Sequence, residues 1–250
     1  MNQTRKLWLG LAALLLSGFS LLLWMGGEIH RQEPPMPESV VTADGATLYT
    51  RADIETGRQV WQSIGGQQLG SIWGHGALIA PDWSADWLHR EAEAWLTLRA
   101  QREYGRAYAS LAVGDRAKLQ AELGPDIRAN GYDPGTGILT VPSERAAAIV
   151  QVATHYQSLF GNDPATASLR DTYAMRDNTV DTLEHRRQLG AFFFWTSWAA
   201  VTNRPDGSIT YTNNWPYEPL VGNVPTPSAF LWTVFSVLFM IAGIGLLGWH

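Results

Sequence analysis

Few residues in this sequence carry side chains suited to metal or redox chemistry. The 250 residues include six histidines and no cysteine. Without thiols the chain cannot form a thiolate metal site or attach a haem through thioether bonds. His75 and His89 lie nearest a glycine-rich stretch and could each bind a metal ion through the imidazole. His89, however, falls on the polar face of an expected helix, and His155 and His185 fall on patterns typical of surface or capping residues.

Two apolar segments, 7–25 and 229–249, indicate how the chain is placed in a membrane. Neither segment carries a charge, and a helix of that length crosses a hydrocarbon core roughly 30 Å thick. The first segment could instead be a cleaved signal peptide, but it is longer than an ordinary signal core and lacks a small-residue cleavage site. Arg5 and Lys6 precede it, so the positive-inside rule places the N-terminus in the cytoplasm.

We therefore expect a multi-pass protein of a bacterial cytoplasmic membrane, with both termini cytoplasmic and residues 28–228 on the outer side. The sequence ends at His250, directly after the second apolar segment. This favours a larger membrane protein divided at a helix boundary, although His250 could also be a natural end. The net charge of −5 excludes the basic footprint that nucleic-acid binding requires.

The pattern between the two apolar segments predicts a mainly α fold with long loops. We expect a first membrane segment in 1–27, an extended proline-rich stalk over 28–52, a domain over 53–228 and a second membrane segment over 229–250. Asp53 is expected to cap the first helix of the domain. Apolar spacing and end signals predict helices over 53–64, 84–104, 115–123, 143–160, 165–176 and 181–201.

The stretch 57–81 resembles a known haem-binding pattern. It contains Gly57 with Val60-Trp61, then Gly74-His75-Gly76-Ala77, then Ala80-Pro81. The small cytochrome c subunit of two-component nitric oxide reductases has G-K-x-V-W, C-x-x-C-H, G-x-G-A-Y and A-P at the same spacing. In that gapless alignment the two haem-attaching cysteines fall on Gly66 and Leu69, and the axial histidine falls on Gly70. Covalent attachment needs two thiols and the axial bond an imidazole, so the haem chemistry is absent.

Further segments are similar to the single-chain, quinol-dependent branch of the same family, and the similarity extends along the whole chain. They are 67–76 with 80–91, 192–205, and 211–223. The resemblance implies a cytochrome c-like domain that has lost its haem, within an enzyme that reduces nitric oxide to nitrous oxide with electrons from quinol. In that family haem b, a high-spin haem and non-haem iron are held by other membrane helices. The chain itself would bind no cofactor and act as a scaffold.

The implied partners are the catalytic membrane bundle, lipid and quinol, with a homodimer also possible. Gly76 is a candidate calcium ligand through its carbonyl oxygen, because the family's G-x-G-A-Y loop lies near a calcium ion, and calcium prefers oxygen ligands. Leu78 stands at the tyrosine position and offers no oxygen. Met175 could mimic an axial methionine, but packing is the more usual role of such a residue.

Three alternatives stay open at this point. The apolar run 192–201 is too short to span a membrane, so it forms either a packed helix or part of a quinol route. The same topology also occurs in two-helix extracytoplasmic sensors. A stand-alone scaffold subunit of a haem–copper oxidase-like complex would fit as well.

Overall fold

The computed structural model describes residues 3–205, 207 and 209–249, so Met1, Asn2 and His250 of the expected membrane segments lie outside the described residues. The described chain divides into two compact units, Met1–Pro35 and Met36–His250. The fold is mainly α, as the sequence predicted. The described α-helices are α1 Gln3–Gln32, α2 Arg51–Ser63, α3 Trp83–Tyr104, α4 Val113–Arg128, α5 Ser143–Leu159, α6 Ala167–Thr172, α7 Leu183–Val201 and α8 Pro227–Trp249.

Two of these helices are candidates for spanning a membrane. They are α1 and the Phe230–Trp249 part of α8, and both are long and apolar enough to cross a bilayer. Their large apolar side chains are exposed along the whole length of each helix. Exposed apolar surface on this scale is unfavourable in water but suits hydrocarbon. The chain is therefore a membrane protein with its central domain between two apolar helices.

The segment 28–52 differs from the extended stalk that the proline content predicted. Helix α1 continues to Gln32, since residues 28–32 contain no helix breaker and Arg31 pairs with Glu28 one turn earlier. The helix ends before Pro34, where the missing N–H and ring make continuation unfavourable. Strands β1 Ser39–Thr42 and β2 Thr47–Thr50 then form an antiparallel hairpin.

A small mixed sheet contains this hairpin. Its strand order is β2-β1-β4-β3, with β3 Tyr132–Asp133 and β4 Ile138–Val141. Strand β1 pairs in parallel with β4, and Val40 lies opposite Leu139. Both of these side chains are buried. The parallel pairing joins segments about a hundred residues apart, so no local sequence signal indicates it.

Helix α2 begins two residues earlier than expected. Thr50 is the N-cap, and its hydroxyl accepts from the Asp53 backbone N–H while the Asp53 carboxylate accepts from the Thr50 N–H. This reciprocal arrangement is a capping box, so the expected cap, Asp53, is instead its third helical residue. Burial tends to raise the pKa of Asp53, but hydrogen bonds from Arg187 and Thr50 hold it below its usual value.

Two other helices differ from their expected ranges, α4 because of a tertiary contact and α6 because of its local backbone conformation. Helix α4 continues through Pro125, since Trp95 Nε1 donates to Asp126 Oδ2 at 2.7 Å and Ile127 is buried. The expected helix over 165–176 is shorter. It consists of a 3₁₀ turn, Pro164–Thr166, and α6, and ends where Ala174 takes a left-handed φ of 49°.

Helix α7 forms the centre of the domain. Its residues from Leu189 to Val201 are all buried, and it packs against α2, α3 and α5. The apolar run 192–201 is therefore a core helix. Gly57 of α2 makes close approach possible, because a Cβ placed there would lie 1.9 Å from the Gln188 carbonyl oxygen.

A buried ion pair connects α3 to α5. Arg145 Nε donates to Glu91 Oε1 at 2.7 Å, and both side chains are almost fully buried. Trp87 Nε1 donates to the other oxygen of Glu91 at 2.9 Å, and Arg145 Nη1 donates to the Ile127 carbonyl at 2.8 Å. Removing one partner would leave an uncompensated buried charge, so the two residues act as a unit.

Candidate functional site

The three positions aligned with a haem-attachment motif form a tight turn after α2. Gly65 and Gly66 both have positive φ, at 118° and 53°, and lead into a 3₁₀ turn, Gly66–Gln68. Leu69 follows and packs partly buried against the core. Gly70 closes the turn, with its N–H donating to the Gly66 carbonyl at 3.2 Å. The turn is held by backbone conformation and apolar packing.

The indole of Trp83 occupies the space beside Gly70. A Cβ at position 70 would lie 2.2 Å from Trp83 Nε1 and 2.8 Å from the Pro81 carbonyl oxygen. Trp61 Nε1 donates to the Gly70 carbonyl at 3.2 Å. Contacts below 3.0 Å do not occur without a shift of one partner, so no side chain can extend from position 70 in this arrangement. A histidine ring there would meet the indole.

An aromatic cluster surrounds Trp83, which is fully buried. Its ring stacks on Phe193 with centroids 5.6 Å apart and packs edge-on against Phe160 at 5.4 Å and Tyr173 at 5.9 Å. Tyr156 lies 6.1 Å away, also edge-on. These rings interlock at ordinary aromatic distances, which fill the interior at close-packed density. Together with Trp83, these rings fill the space next to Gly70.

A covalently attached haem does not fit this arrangement. The sequence has no cysteine, Gly70 offers no imidazole, and the Trp83 indole blocks the space that an axial side chain would need. Met175, the other candidate axial residue, is part of the buried apolar core. No group of three or more His, Asp or Glu side chains arranged to hold a metal ion occurs among residues 3–205, 207 and 209–249.

The loop after the turn is organised by Asp82, a residue that the sequence did not single out. Its Oδ2 accepts from Ser71 Oγ and from the Gly74 N–H, each at 2.7 Å. Its Oδ1 accepts from the Ala85 N–H at 3.0 Å, so the same side chain caps α3. A carboxylate that bonds both a loop and a helix N-terminus fixes one relative to the other.

His75 lies on this loop and packs against Trp215, with ring centroids 4.8 Å apart. Trp215 Nε1 also donates to the Gly74 carbonyl at 3.1 Å. His75 is exposed, and its ring packs on the surface against Trp215. Trp215 was part of a recognised segment, yet its contact with a residue 141 positions away has no sequence signal.

Gly76 adopts a φ of 85°, a left-handed conformation that favours glycine. Its N–H donates to Ser71 Oγ at 2.8 Å. Leu78, two residues further, is fully exposed and provides no oxygen, so the loop could offer calcium only backbone carbonyl groups. The role of Gly76 as a calcium ligand stays a prediction.

His89 lies between two carboxylates on the surface of α3. Its Nδ1 is 3.0 Å from Glu218 Oε2, and its Nε2 is 3.4 Å from Glu93 Oε1. Glu218 is mostly buried and also accepts from the Leu220 N–H at 3.0 Å. The imidazole therefore connects α3 to the segment that precedes α8, which is a structural role.

A second polar cluster lies beside the aromatic core. Asp86 Oδ2 accepts from Tyr156 Oη at 2.6 Å and from Arg90 Nε at 2.8 Å. The adjacent His155 is half-buried, and its Nε2 has no partner among the described residues. Burial, followed by the positive charge of Arg90, lowers the pKa of His155 to about 4, so its imidazole is neutral at pH 7.

The comparison with protein families assigns the domain to a family. The family described as the NorB cytochrome c-like domain of nitric oxide reductase matches residues 37–217. The chain belongs to this family. No curated protein matches the chain. The predicted relationship to nitric oxide reductases is thus confirmed, and the domain is a cytochrome c-like domain of the haem-free type. The chain is accordingly related to part of a larger membrane oxidoreductase.

Proposed function

We propose that this chain is the haem-free scaffold region of a membrane nitric oxide reductase that takes its electrons from quinol. Its domain would cover the outer face of a haem-bearing helical bundle, while α1 and α8 anchor it in the membrane. The reaction joins two nitric oxide molecules, two electrons and two protons into nitrous oxide and water. No step of this chemistry is assigned to residues of the chain.

The contact between Gly70 and Trp83 carries this proposal. A cytochrome c domain that passes electrons needs a haem, and here the axial position is a glycine pressed against a buried indole. The domain therefore lacks the residues that hold a c-type haem, the group through which a cytochrome c domain accepts electrons from a soluble donor. Quinol is the alternative donor, since it is dissolved in the membrane and can reach a haem-bearing bundle directly.

The close packing of the domain supports a scaffold role. Thirteen consecutive residues of α7 are buried, Asp82 fixes the loop to α3, and the Glu91–Arg145 pair connects two core helices. A rigid, fully packed domain preserves the relative positions of the elements at its surface. The family match favours this role over that of an extracytoplasmic sensor domain.

The proposal can be tested by isolating the chain in two forms. One is the purified 250-residue chain, and the other is the complex recovered from its native membrane through a tag on this chain. We expect no haem bands in the reduced-minus-oxidised spectrum of the purified chain. The native complex should show b-type bands, no c-type bands, and nitric oxide consumption with a reduced quinol analogue.

The choice of electron donor is the discriminating control. Reduced soluble cytochrome c should give no turnover when it is supplied to the same preparation, with its redox potential set equal to that of the quinol analogue. Turnover with cytochrome c but not with quinol would overturn the donor assignment. A stoichiometric haem in the purified chain would overturn the scaffold role, because a residue of the domain would then bind the iron.

A further inference from the structure

The segment that leads into α8, residues 216–224 and here called the linker, is organised by one nearly buried carboxylate. The side chain of Glu218 is only 10% exposed. Its Oε1 accepts from the Leu220 N–H at 3.0 Å. Its carbonyl oxygen accepts from the N–H groups of Val221 at 3.1 Å and Gly222 at 2.9 Å. The position of Glu218 therefore determines the conformation of the turn that precedes α8.

Two helices hold the linker through groups whose charge is constant near neutral pH. Asn223 Nδ2 donates to the Ala200 carbonyl of α7 at 3.2 Å. Arg128 Nη1 of α4 donates to the Gly222 carbonyl, also at 3.2 Å. An amide does not titrate and a guanidinium stays protonated, so these two contacts do not respond to pH.

Helix α3 holds the linker through His89, and both nitrogens of this ring face carboxylates. Nδ1 lies 3.0 Å from Glu218 Oε2 and Nε2 lies 3.4 Å from Glu93 Oε1. Within residues 3–205, 207 and 209–249 these are the two carboxylates that pair with His89, while the nearby Asp86 and Arg90 pair with each other. A neutral imidazole has one N–H and can donate to only one carboxylate, whereas an imidazolium donates to both.

We propose that His89 is a pH-dependent latch between α3 and the linker. In the imidazolium form it donates to Glu93 and Glu218, and both hydrogen bonds are charge-assisted. Loss of the proton removes one bond and takes the charge from the other, so the linker is then held mainly by α7 and α4. The contact is therefore stronger at low pH and weakens as the pH rises.

The location of the latch gives it a use. Histidine is the side chain whose charge ordinarily changes between about pH 5 and pH 8, and the side chain of His89 is about half exposed, so it exchanges protons with water. A domain on the outer side of the membrane meets the pH of its surroundings. The latch would make the connection between domain and membrane helix respond to that pH. Only the outer location of the domain rests on the proposed function.

Amide hydrogen exchange of the full chain in phosphatidylcholine nanodiscs tests the latch. Mass spectrometry measures the protection of peptide 217–224 at about pH 8 and about pH 6, on either side of the ordinary histidine range. The same peptide in isolation corrects for the intrinsic change of the exchange rate with pH. His89→Gln keeps a side-chain donor that has no charge. His185→Gln, at an exposed position of α7, is the matched control, and peptide 192–201 reports whether the core stays folded.

We expect the protection of peptide 217–224 to be about three- to tenfold greater at the lower pH, as for a partly exposed hydrogen bond that gains a charge. His185→Gln should behave in the same way, and His89→Gln should show equal protection at both pH values. The same rise in His89→Gln would overturn the proposal, as would no rise in the unsubstituted chain.

The titration of His89 itself provides a second measurement. NMR of the chain with labelled histidine gives the midpoint of this titration, and the His89→Gln spectrum identifies the signal. The protection of the linker should change with the same midpoint, and a different midpoint would mean that another group controls the linker. None of these results depends on the electron donor, so failure of the latch is distinguishable from failure of the proposed function.

Discussion

At the scale of single residues, Gly70 and Trp83 determine what the domain can hold. The glycine leaves no side chain at the axial position, and the indole occupies the volume next to it. The two residues depend on each other, because a larger residue at 70 requires a smaller one at 83. Restoring only the haem-attaching residues would therefore leave the site blocked.

A double-mutant cycle tests this dependence. Gly70→Ala should destabilise the chain by about 1–3 kcal/mol, because the added methyl group meets a close-packed indole. In a Trp83→Leu background the cost of Gly70→Ala should fall, although not to zero, since the Pro81 carbonyl lies 2.8 Å from the same Cβ position. Unfolding in denaturant, followed by circular dichroism, measures all four variants. Equal costs in the two backgrounds would mean that the indole does not block position 70.

His155 predicts a pH dependence of stability. Its folded pKa is about 4, below the ordinary value of 6.5, because it is half-buried beside Arg90. Between these two values the unfolded chain binds a proton that the folded chain does not. Its contribution to stability is therefore complete above about pH 6.5 and is lost as the pH falls towards 4.

The measurement compares the chain with a His155→Gln variant. When the pH is lowered from about 7 to about 5, the unfolding midpoint of the unsubstituted chain should decrease, and the unfolding midpoint of the variant should decrease less. Other groups that titrate in this range act equally on both proteins, so the difference isolates His155. Parallel pH profiles would contradict the lowered pKa.

The sequence located the former haem-attachment site but did not predict which side chain fills the space beside it. Gly66, Leu69 and Gly70 could be located as the haem-attachment positions because the motif is local and its spacing can be compared directly along the sequence. Trp83 lies only two residues after Pro81 in the same pattern, yet nothing local shows that its ring turns back onto Gly70. Its role comes from packing against Phe193, more than a hundred residues away. Contacts of this kind have no signal in a single sequence.

At the scale of elements, the close packing of α2 on α7 holds the domain together. Gly57 allows the Gln188 backbone of α7 to approach so closely that a Cβ would lie 1.9 Å from the carbonyl oxygen. Backbone atoms of a buried helix cannot move aside easily, in contrast to the end of a flexible side chain. The contact therefore requires glycine.

Gly57→Ala should destabilise the chain by about 1–3 kcal/mol or more, because α2 and α7 must move apart to make room for the methyl group. Gly190→Ala in α7 is the matched control. A Cβ there would meet Trp87 and Ala153 at ordinary distances of 3.8 and 3.9 Å, and alanine favours a helix over glycine by about 1 kcal/mol. Thermal unfolding should thus show a loss for the first variant and no loss for the second. A similar loss in both would mean that helix packing here does not depend on close approach.

Helices were better predicted than strands. Helix α3 was expected over 84–104 and occupies Trp83–Tyr104, because its apolar residues recur at helical spacing and Gly105 ends it with a left-handed φ of 62°. The strands were missed because each has only two to four residues. The pairing of β1 with β4 depends on the folding of everything between them, and the proline content of 28–52 suggested an extended stalk instead.

At the scale of the whole molecule, the main question raised by the two apolar helices is which side of the membrane the domain occupies. Helix α1 and the Phe230–Trp249 part of α8 can each cross a bilayer. Two crossings place the ends of the chain on one side and the intervening domain on the other. The sequence predicts which side by charge alone, since Arg5 and Lys6 precede the first crossing.

Labelling in intact cells tests this topology with single-cysteine variants, because the chain lacks natural thiols. Val113 is an exposed position at the start of α4. A membrane-impermeant maleimide should label Val113→Cys in the domain, while Thr4→Cys and Trp249→Cys should react only after the membrane is permeabilised. The reverse pattern would place the domain in the cytoplasm. An N-terminal tag that disappears from the mature protein would show that α1 is a cleaved signal peptide. Both results would contradict an uncleaved anchor followed by an outer domain, and the second would leave α8 as the membrane attachment.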